Sequence, residues 1–449
     1  MSLLPYEILQ TDLLGGIWHF HVQPPLFNLF CGVIVKLFGT VQTAGFHFVY
    51  IITGLLLITS LFLLMVSLGI PYRFAAVLSV LFSVAPDSIL YENFILYTYP
   101  VATLLVLSCV TLSRYLSTNR WYWGMGTATL WCMVILTRSM FHLMWFGAGL
   151  SIIVVLFPRR WKRVLLLSLI PFLFAFGWYA KNYVMFDMFG TSSWLGMNVS
   201  RLTVSVLNDE EKLALARDGK ISELAFLRPF PGYWQFAGNI DIPRSDSTGV
   251  SILDSEYIEF GNSNYTHLIQ LSLAKQFLKD SFAVIRNYPD IYLFRSLRGS
   301  FGLYFTPCNR WFDIWGEAPE YGANVSALGP ILTVFNTLFC GYFPGDRANV
   351  GWFIVVIYLA TVGYWVYRLI REVPHMRQNA PFFTVILFMF MTVLYVTFVG
   401  NLFELGENMR FRYNVDPLVL TLFGLMLVDF LSRFSGHPRK RQKNIPKTA

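Results

Sequence analysis

The 449-residue sequence predicts an all-α, polytopic membrane bundle of about eleven spans, with an external loop region between its two halves. Three observations predict it. Only 13% of the residues are charged, about half the share of a soluble domain, and the mean hydropathy is +0.53. Apolar runs close to the length of a bilayer crossing recur along the chain. The cations are clustered, with Arg159, Arg160, Lys162 and Arg163 in one loop and Arg433, Arg439, Lys440, Arg441, Lys443 and Lys447 at the C-terminus. Such clusters mark cytoplasmic loops. These ten cations exceed the net charge of +8, so no nucleic-acid footprint is needed to explain it.

Apolar helices are expected at about 46–67, 74–86, 98–117, 121–137, 142–157 and 163–185, and then at 291–306, 325–343, 350–370, 380–401 and 412–432. With both basic clusters inside, the alternation puts 87–97, 138–141, 187–290 and 402–411 outside, along with everything before residue 45. The expected parts are an external juxtamembrane segment (1–45), an N-terminal bundle (46–186), an external soluble region (187–290), a C-terminal bundle (291–433) and a basic cytoplasmic tail (434–449). An external Met1 leads to the expectation of a further spanning helix ahead of it.

The external region carries thirteen of the 26 acidic residues. Within it, 208–217 reads as an N-capped surface helix, and 265–287 as an amphipathic helix ended by Pro289. Asn198, Asn264 and Asn324 head N-x-S/T sequons, and the first two fall outside in this topology. The five cysteines are scattered without a CxxC pair, which fits buried small residues better than a disulfide framework or zinc site.

The runs near 46–67, 98–113, 121–137, 142–157, 325–343, 351–367 and 380–401 carry no Asp, Glu, Lys or Arg, whereas a transporter normally keeps ionisable residues near the midplane. The polar groups gather at one water face: Glu7, Asp12, His19 and His21; Asp87, Glu92 and Tyr97; Arg138 and His142; Lys181 and Asn182; and Glu404, Glu407, Arg410 and Arg412. Acids and cations meeting at the end of a bundle suit chemistry on an anionic, lipid-linked substrate. Asp12 is the first choice for a catalytic base, with an ordinary helix N-cap as its structural alternative. Glu7 and Glu92 are further acids. His19 and His21, two apart, do not share a helix face and so do not form a metal pair. Arg138 and His142, four apart, would share one. Arg410 and Arg412 are expected to alternate in an extended loop, one on a phosphate and the other on Glu407. Trp178, Tyr179, Trp121 and Trp123 suit an interfacial belt.

Four stretches carry a family resemblance. HVQPPLFNLFCGVIVKLFG (21–39) resembles the His-x-Pro-Pro-Leu helix in the first external loop of C-type integral-membrane glycosyltransferases, which include protein O-mannosyltransferases and the aminoarabinose transferase for lipid A. GWYAKNYVMFDMFGTSSWLGMN (177–198) is similar to that superfamily's Trp-x-x-Arg-Asn-Tyr segment, with Lys181 where arginine is common. GENMRFRYNVDP (406–417) resembles its Glu-x-x-Arg-Tyr-Arg segment, and TRSMFH (137–142) an external helix-end motif.

The resemblance implies an inverting glycosyltransferase that moves a sugar from a polyprenyl or dolichyl phosphate to a protein, lipid or glycan acceptor. An external carboxylate (Asp12, Glu7 or Glu92) would be the base. His19, His21, Arg138, His142, Lys181, Asn182, Glu407, Arg410 and Arg412 would contact the substrates. The site would face outward from a bacterial inner membrane or into the lumen of the endoplasmic reticulum. The rival readings are a flippase or transporter of a lipid-linked sugar and an inactive homologue. No cofactor is implied, and a single divalent ion at the acidic face is the one metal alternative left open.

Overall fold

The computed structural model describes residues 3–236, 247–315 and 328–434. The sequon at Asn324 and the basic residues beyond Arg433 lie outside them. Short helices open the chain: α1 (Tyr6–Thr11), α2 (Leu13–His19) and α3 (Pro25–Phe38). The Asp12 carboxylate accepts the Gly15 N–H and starts α2, while Pro24 and Pro25 set the backbone that starts α3. Then follow α4 (Gln42–Ser67), α5 (Tyr72–Val84), α6 (Pro86–Glu92), α7 (Thr98–Thr118), α8 (Trp121–Thr137), α9 (Leu143–Leu156) and α10 (Trp161–Phe186).

The centre of the bundle is α7, which packs on α4, α8, α20 and α21 (the last two defined below). Its Val101, Ala102, Leu105, Val106, Cys109 and Leu112 are wholly buried. The outward faces stay apolar, as Leu55, Phe174 and Ile370 show, each more than half exposed. Such faces suit lipid rather than water. All five cysteines are buried and unpaired.

The segment from 187 to 290 is helical and compact. It contains α11 (Leu195–Leu202), α12 (Asp209–Arg217), α13 (Tyr233–Phe236), α14 (Ser251–Asp254) and α15 (Ile269–Asn287). The expected N-cap forms at α12 as a capping box, where Asn208 and Glu211 each accept the other's backbone N–H. Helix α15 starts four residues later than expected, because Asn264 and His267 side chains accept the N–H groups of Thr266 and Ile269 and build a turn there. The Asn264 amide also donates to the carbonyls of Ile252 and Ser255 at 2.8 Å each and is buried. That sequon therefore offers no free amide in the folded chain. Two small cores hold the segment, one around Met197, Leu273 and Phe277, the other around Val204, Leu207 and Val284.

A π-helical turn at 291–296 runs into α16 (Leu297–Tyr304), followed by α17 (Arg310–Trp315), α18 (Gly329–Cys340), α19 (Trp352–Glu372), α20 (Ala380–Phe403) and α21 (Asn408–Phe434). Each expected apolar helix has a helix at its place, but eleven spans are not shown. Among the described residues, five stretches are long and apolar enough to cross a membrane: Pro25–Ser67, Thr98–Thr118, Pro158–Phe186, Trp352–Phe403 and Asn408–Arg433. The count is six if α5 and α6, bent by 60° at their junction, make one span. Two of the expected spans are short: α9 and α18 have 14 and 12 residues, against the roughly 20 a helical crossing needs, and α19 and α20 fall within one 52-residue stretch.

Candidate functional site

A cavity of about 1980 Å³ opens where the helix ends meet the 187–290 segment. One part of its wall is apolar, with Leu4, Leu9, Cys31, Val35 and Phe46. Another carries Tyr97, Arg138, His142, Arg201, Glu404, Glu407 and Arg410.

Each of these side chains is placed by a local device. Tyr97 follows a turn fixed by the Tyr50 hydroxyl, which donates to Leu96 O at 2.8 Å. Its ring meets Phe27 of α3 edge-on at 5.6 Å. Arg138 closes α8 in an extended conformation and is 3% exposed. Its guanidinium lies over Tyr97 at 5.0 Å and Phe411 at 4.5 Å, and its one hydrogen bond is a 3.5 Å contact to Thr98 Oγ1. The turn between α20 and α21 is held by Asn408, whose buried amide donates to the carbonyls of Gly400 and Glu404. Gly406, at φ +128°, accepts a conformation a side chain would resist. This turn presents Glu404, Glu407 and Arg410 together.

Arg410 is 3% exposed and pairs with Glu407 through Nη2, which also donates to Tyr97 Oη at 3.1 Å. Its Nε and Nη1 are buried without a hydrogen-bond partner. Glu404 is paired with Arg201 at 3.0 Å. Arg201 reaches it from α11, which can approach α15 because Gly196 has no side chain: a Cβ there would stand 1.9 Å from Ala274 O.

Burial, with Glu407 beside it, pushes the Glu404 carboxyl up to about 7, against the pull of Arg201 and Arg410. Burial also acts on Glu407, but Arg410, Arg138 and Arg201 outweigh it and hold that carboxyl below its ordinary range. Burial drives Arg138 down to about 10, helped by Arg410 and opposed by Tyr97 and Glu407. The site thus combines a buried guanidinium with two unpartnered nitrogens (Arg410), a second buried one held over two aromatic rings (Arg138), a carboxylate held below its ordinary range and a carboxyl pushed up to about 7.

Of the polar groups gathered at one face in the sequence, Tyr97, Arg138, His142, Glu404, Glu407 and Arg410 line this cavity. His142 Nδ1 lies 3.2 Å from Tyr179 Oη. The others do not line it. Asp12 caps α2. Glu7 is exposed, its backbone N–H bonded to Glu259. Glu92 accepts the Tyr99 hydroxyl at 3.0 Å. His19 Nδ1 bonds Gly15 O within α2.

His21 is fully buried between Ser193 Oγ (3.0 Å) and Thr266 O (2.8 Å), which ties the first segment to the segment after α10. Lys181 donates to Trp18 O at 2.8 Å and lies over Trp178 at 4.1 Å; Asn182 donates to Gly190 O. Arg412 donates to the carbonyls of Tyr304 and Thr306 and pairs with Asp416 at 3.3 Å. Arg410 and Arg412 stand on α21, not in the expected extended loop, and it is Arg410 that takes Glu407. Arg201 was not singled out, because it lies in a polar stretch that gives an arginine no burial signal. Among the described residues, no group of three or more His, Cys, Asp and Glu side chains could hold a metal ion.

No protein-family model and no curated protein matches the chain. Among solved structures, it is similar to the Archaeoglobus fulgidus oligosaccharyltransferase, crystallised tethered to an acceptor peptide containing the NVT sequon via a disulfide bond. The match has 13% identity and a TM-score of 0.35, and covers 94% of this chain and 43% of that one. The chain therefore spans less than half of that structure's length, and a likeness this distant does not establish a shared family or activity.

Proposed function

We propose that the chain is a multi-pass membrane glycosyltransferase whose donor is a sugar on an isoprenoid phosphate. The single observation that carries the proposal is Arg410. It is a buried cation with two unpartnered donor nitrogens, beside an equally buried Arg138, at the wall of a cavity with an apolar side. Burying a charge costs several kcal/mol unless it is compensated. A phosphodiester supplies the missing acceptor oxygens, and the apolar wall suits its lipid tail. The four motif resemblances point to the same donor class.

In this mechanism the acceptor hydroxyl attacks the anomeric carbon, and its proton passes to the Glu404 carboxylate. The bond from that carbon to the phosphate oxygen breaks with inversion. The lipid phosphate leaves with one more negative charge than the diester carried. Arg138 and Arg410 are placed to stabilise that gain, an effect worth roughly 10²–10³-fold per donor. Glu404 is assigned as base, in place of Asp12, Glu7 or Glu92, because it lines the cavity and its pKa near 7 matches the operating range. We place the cavity on the external or lumenal face, following the distribution of basic loops.

The test is turnover in proteoliposomes containing polyprenyl-phosphate mannose, glucose or arabinose, read as released polyprenyl phosphate. Wild-type protein should consume one of these donors, at a rate that rises with pH through about 7. Glu404→Gln should lose both the rate and that rise. Failure of folded wild-type protein to consume any of the three would overturn the proposal.

A further inference from the structure

The part of the cavity wall built by the external segment differs in chemistry from the helix-end part. Trp194, Phe230, Trp234 and Tyr265 line it, interleaved with the neutral side chains of Gln235 and Asn262. Its lysine, Lys275, is already engaged by Asp187 at 2.8 Å.

Phe230 holds φ at +64°, the left-handed region that a bulky residue enters only at a cost of about 1–3 kcal/mol. Surrounding groups fix it there. The Tyr265 hydroxyl donates to Phe230 O at 3.2 Å, and the Trp194 ring meets the Phe230 ring edge-on at 4.8 Å. The Arg201 guanidinium lies over the same ring at 4.7 Å while it pairs with Glu404. The strained aromatic is thus linked through one arginine to the proposed base. Trp234 is 68% exposed although it belongs to the cavity wall. Trp194 Nε1 has no hydrogen-bond partner. The cavity volume exceeds the roughly 300–1,000 Å³ of a site for one small ligand, leaving room for a second substrate.

We propose that this wall is the acceptor subsite and that the acceptor is a saccharide. The inference rests on the glycosyl-transfer reading of the same cavity. Flat aromatic faces suit the C–H face of a pyranose ring. Neutral amides and an indole N–H suit its hydroxyls, whereas an anionic acceptor would call for cations, which gather instead around Tyr97. A ring seated on Trp234 and Phe230 brings a hydroxyl toward Glu404 through the wall that Arg201 joins to it.

The test is saturation-transfer NMR on the full chain in a sugar-free detergent. The probes are mannotriose, maltotriose, the same trioses on a short alkyl chain, and an uncharged hexapeptide. At least one triose should receive saturation. Binding should weaken about tenfold or more in Trp234→Ala and in Phe230→Gly. The glycine variant keeps the left-handed backbone while deleting the ring, so the fold is retained. Binding of only the alkylated trioses would identify a lipid-borne saccharide; binding of the free trioses would identify a soluble or protein-borne one. Saturation of the peptide alone, of no triose, or of the trioses equally in both variants would overturn the inference. Donor consumption without acceptor is measured on wild-type protein as a separate readout. Its absence in wild-type protein would count against the glycosyl-transfer reading and leave the NMR result to judge the subsite.

Discussion

Arg410 and Arg412 stand two residues apart on one helix, and each is 3% exposed. Residues at that spacing point to different helix faces. Arg412 faces the interior, where two carbonyls and Asp416 satisfy it. Arg410 faces the cavity, sharing Glu407 and Tyr97 while two of its nitrogens have no partner. The same contrast separates two larger regions. In the first forty-five residues and their contacts, Asp12, His19, His21 and Lys181 each have a definite internal partner. Around Tyr97, partners run short. A polar group that is buried and satisfied holds a fold together, whereas a charged one that is buried, short of partners and set in a cavity wall has acceptor capacity left for a ligand.

The largest effect that sharpens the comparison is on stability. Arg412→Ala should cost about 3–5 kcal/mol, because it strands Asp416 and two buried carbonyls; thermal melting in detergent reads it. Arg410→Gln should change the melting temperature far less, yet lower donor turnover by about 10²–10³-fold, or roughly 3–4 kcal/mol of transition-state stabilisation. Equal stability losses in the two variants would erase the distinction between the regions.

His21 gives the next effect. Burial first, then Lys181 and His267, lower its pKa to about 4, against the Thr266 carbonyl. The unfolded imidazole takes up its proton near 6.5 and the folded one only near 4. The stability it contributes is therefore complete above pH 6.5 and is lost as pH falls toward 4, by on the order of 3 kcal/mol. Melting curves across that range should show the loss in wild-type protein and a shallower one in His21→Gln. The smallest effect belongs to Asp12. Removing its cap with Asp12→Ala should cost about 1 kcal/mol and leave turnover unchanged; a large loss of turnover at wild-type stability would move the base back to the first segment.

The sequence was most legible where periodicity carries the information. Helices stand at all eleven expected apolar stretches, because apolar runs bounded by Pro, Gly and charged residues have few other folds. Span number was less legible. Composition does not reveal that α19 and α20 follow one another through 3-10 turns within one stretch, Trp352–Phe403. At the site, Arg138 and Arg410 could be found because a cation at the end of an apolar helix needs a reason. Asp12 and His21 gave the same signal for structural reasons, since a cap and a buried hydrogen bond between distant segments use the same residue types as catalysis. Arg201, Trp194 and Phe230 left no trace: the first two look ordinary in a polar segment, and the left-handed backbone of Phe230 is a tertiary property.

The most direct test of the central claim is binding of the leaving group itself. Undecaprenyl phosphate, added to the purified chain in detergent, should raise the melting temperature of wild-type protein in proportion to the logarithm of its concentration. It should raise that of Arg412→Lys equally and leave Arg138→Gln/Arg410→Gln unmoved. An equal rise in the double variant would contradict the account, because the phosphate would then be held somewhere other than between those two guanidiniums.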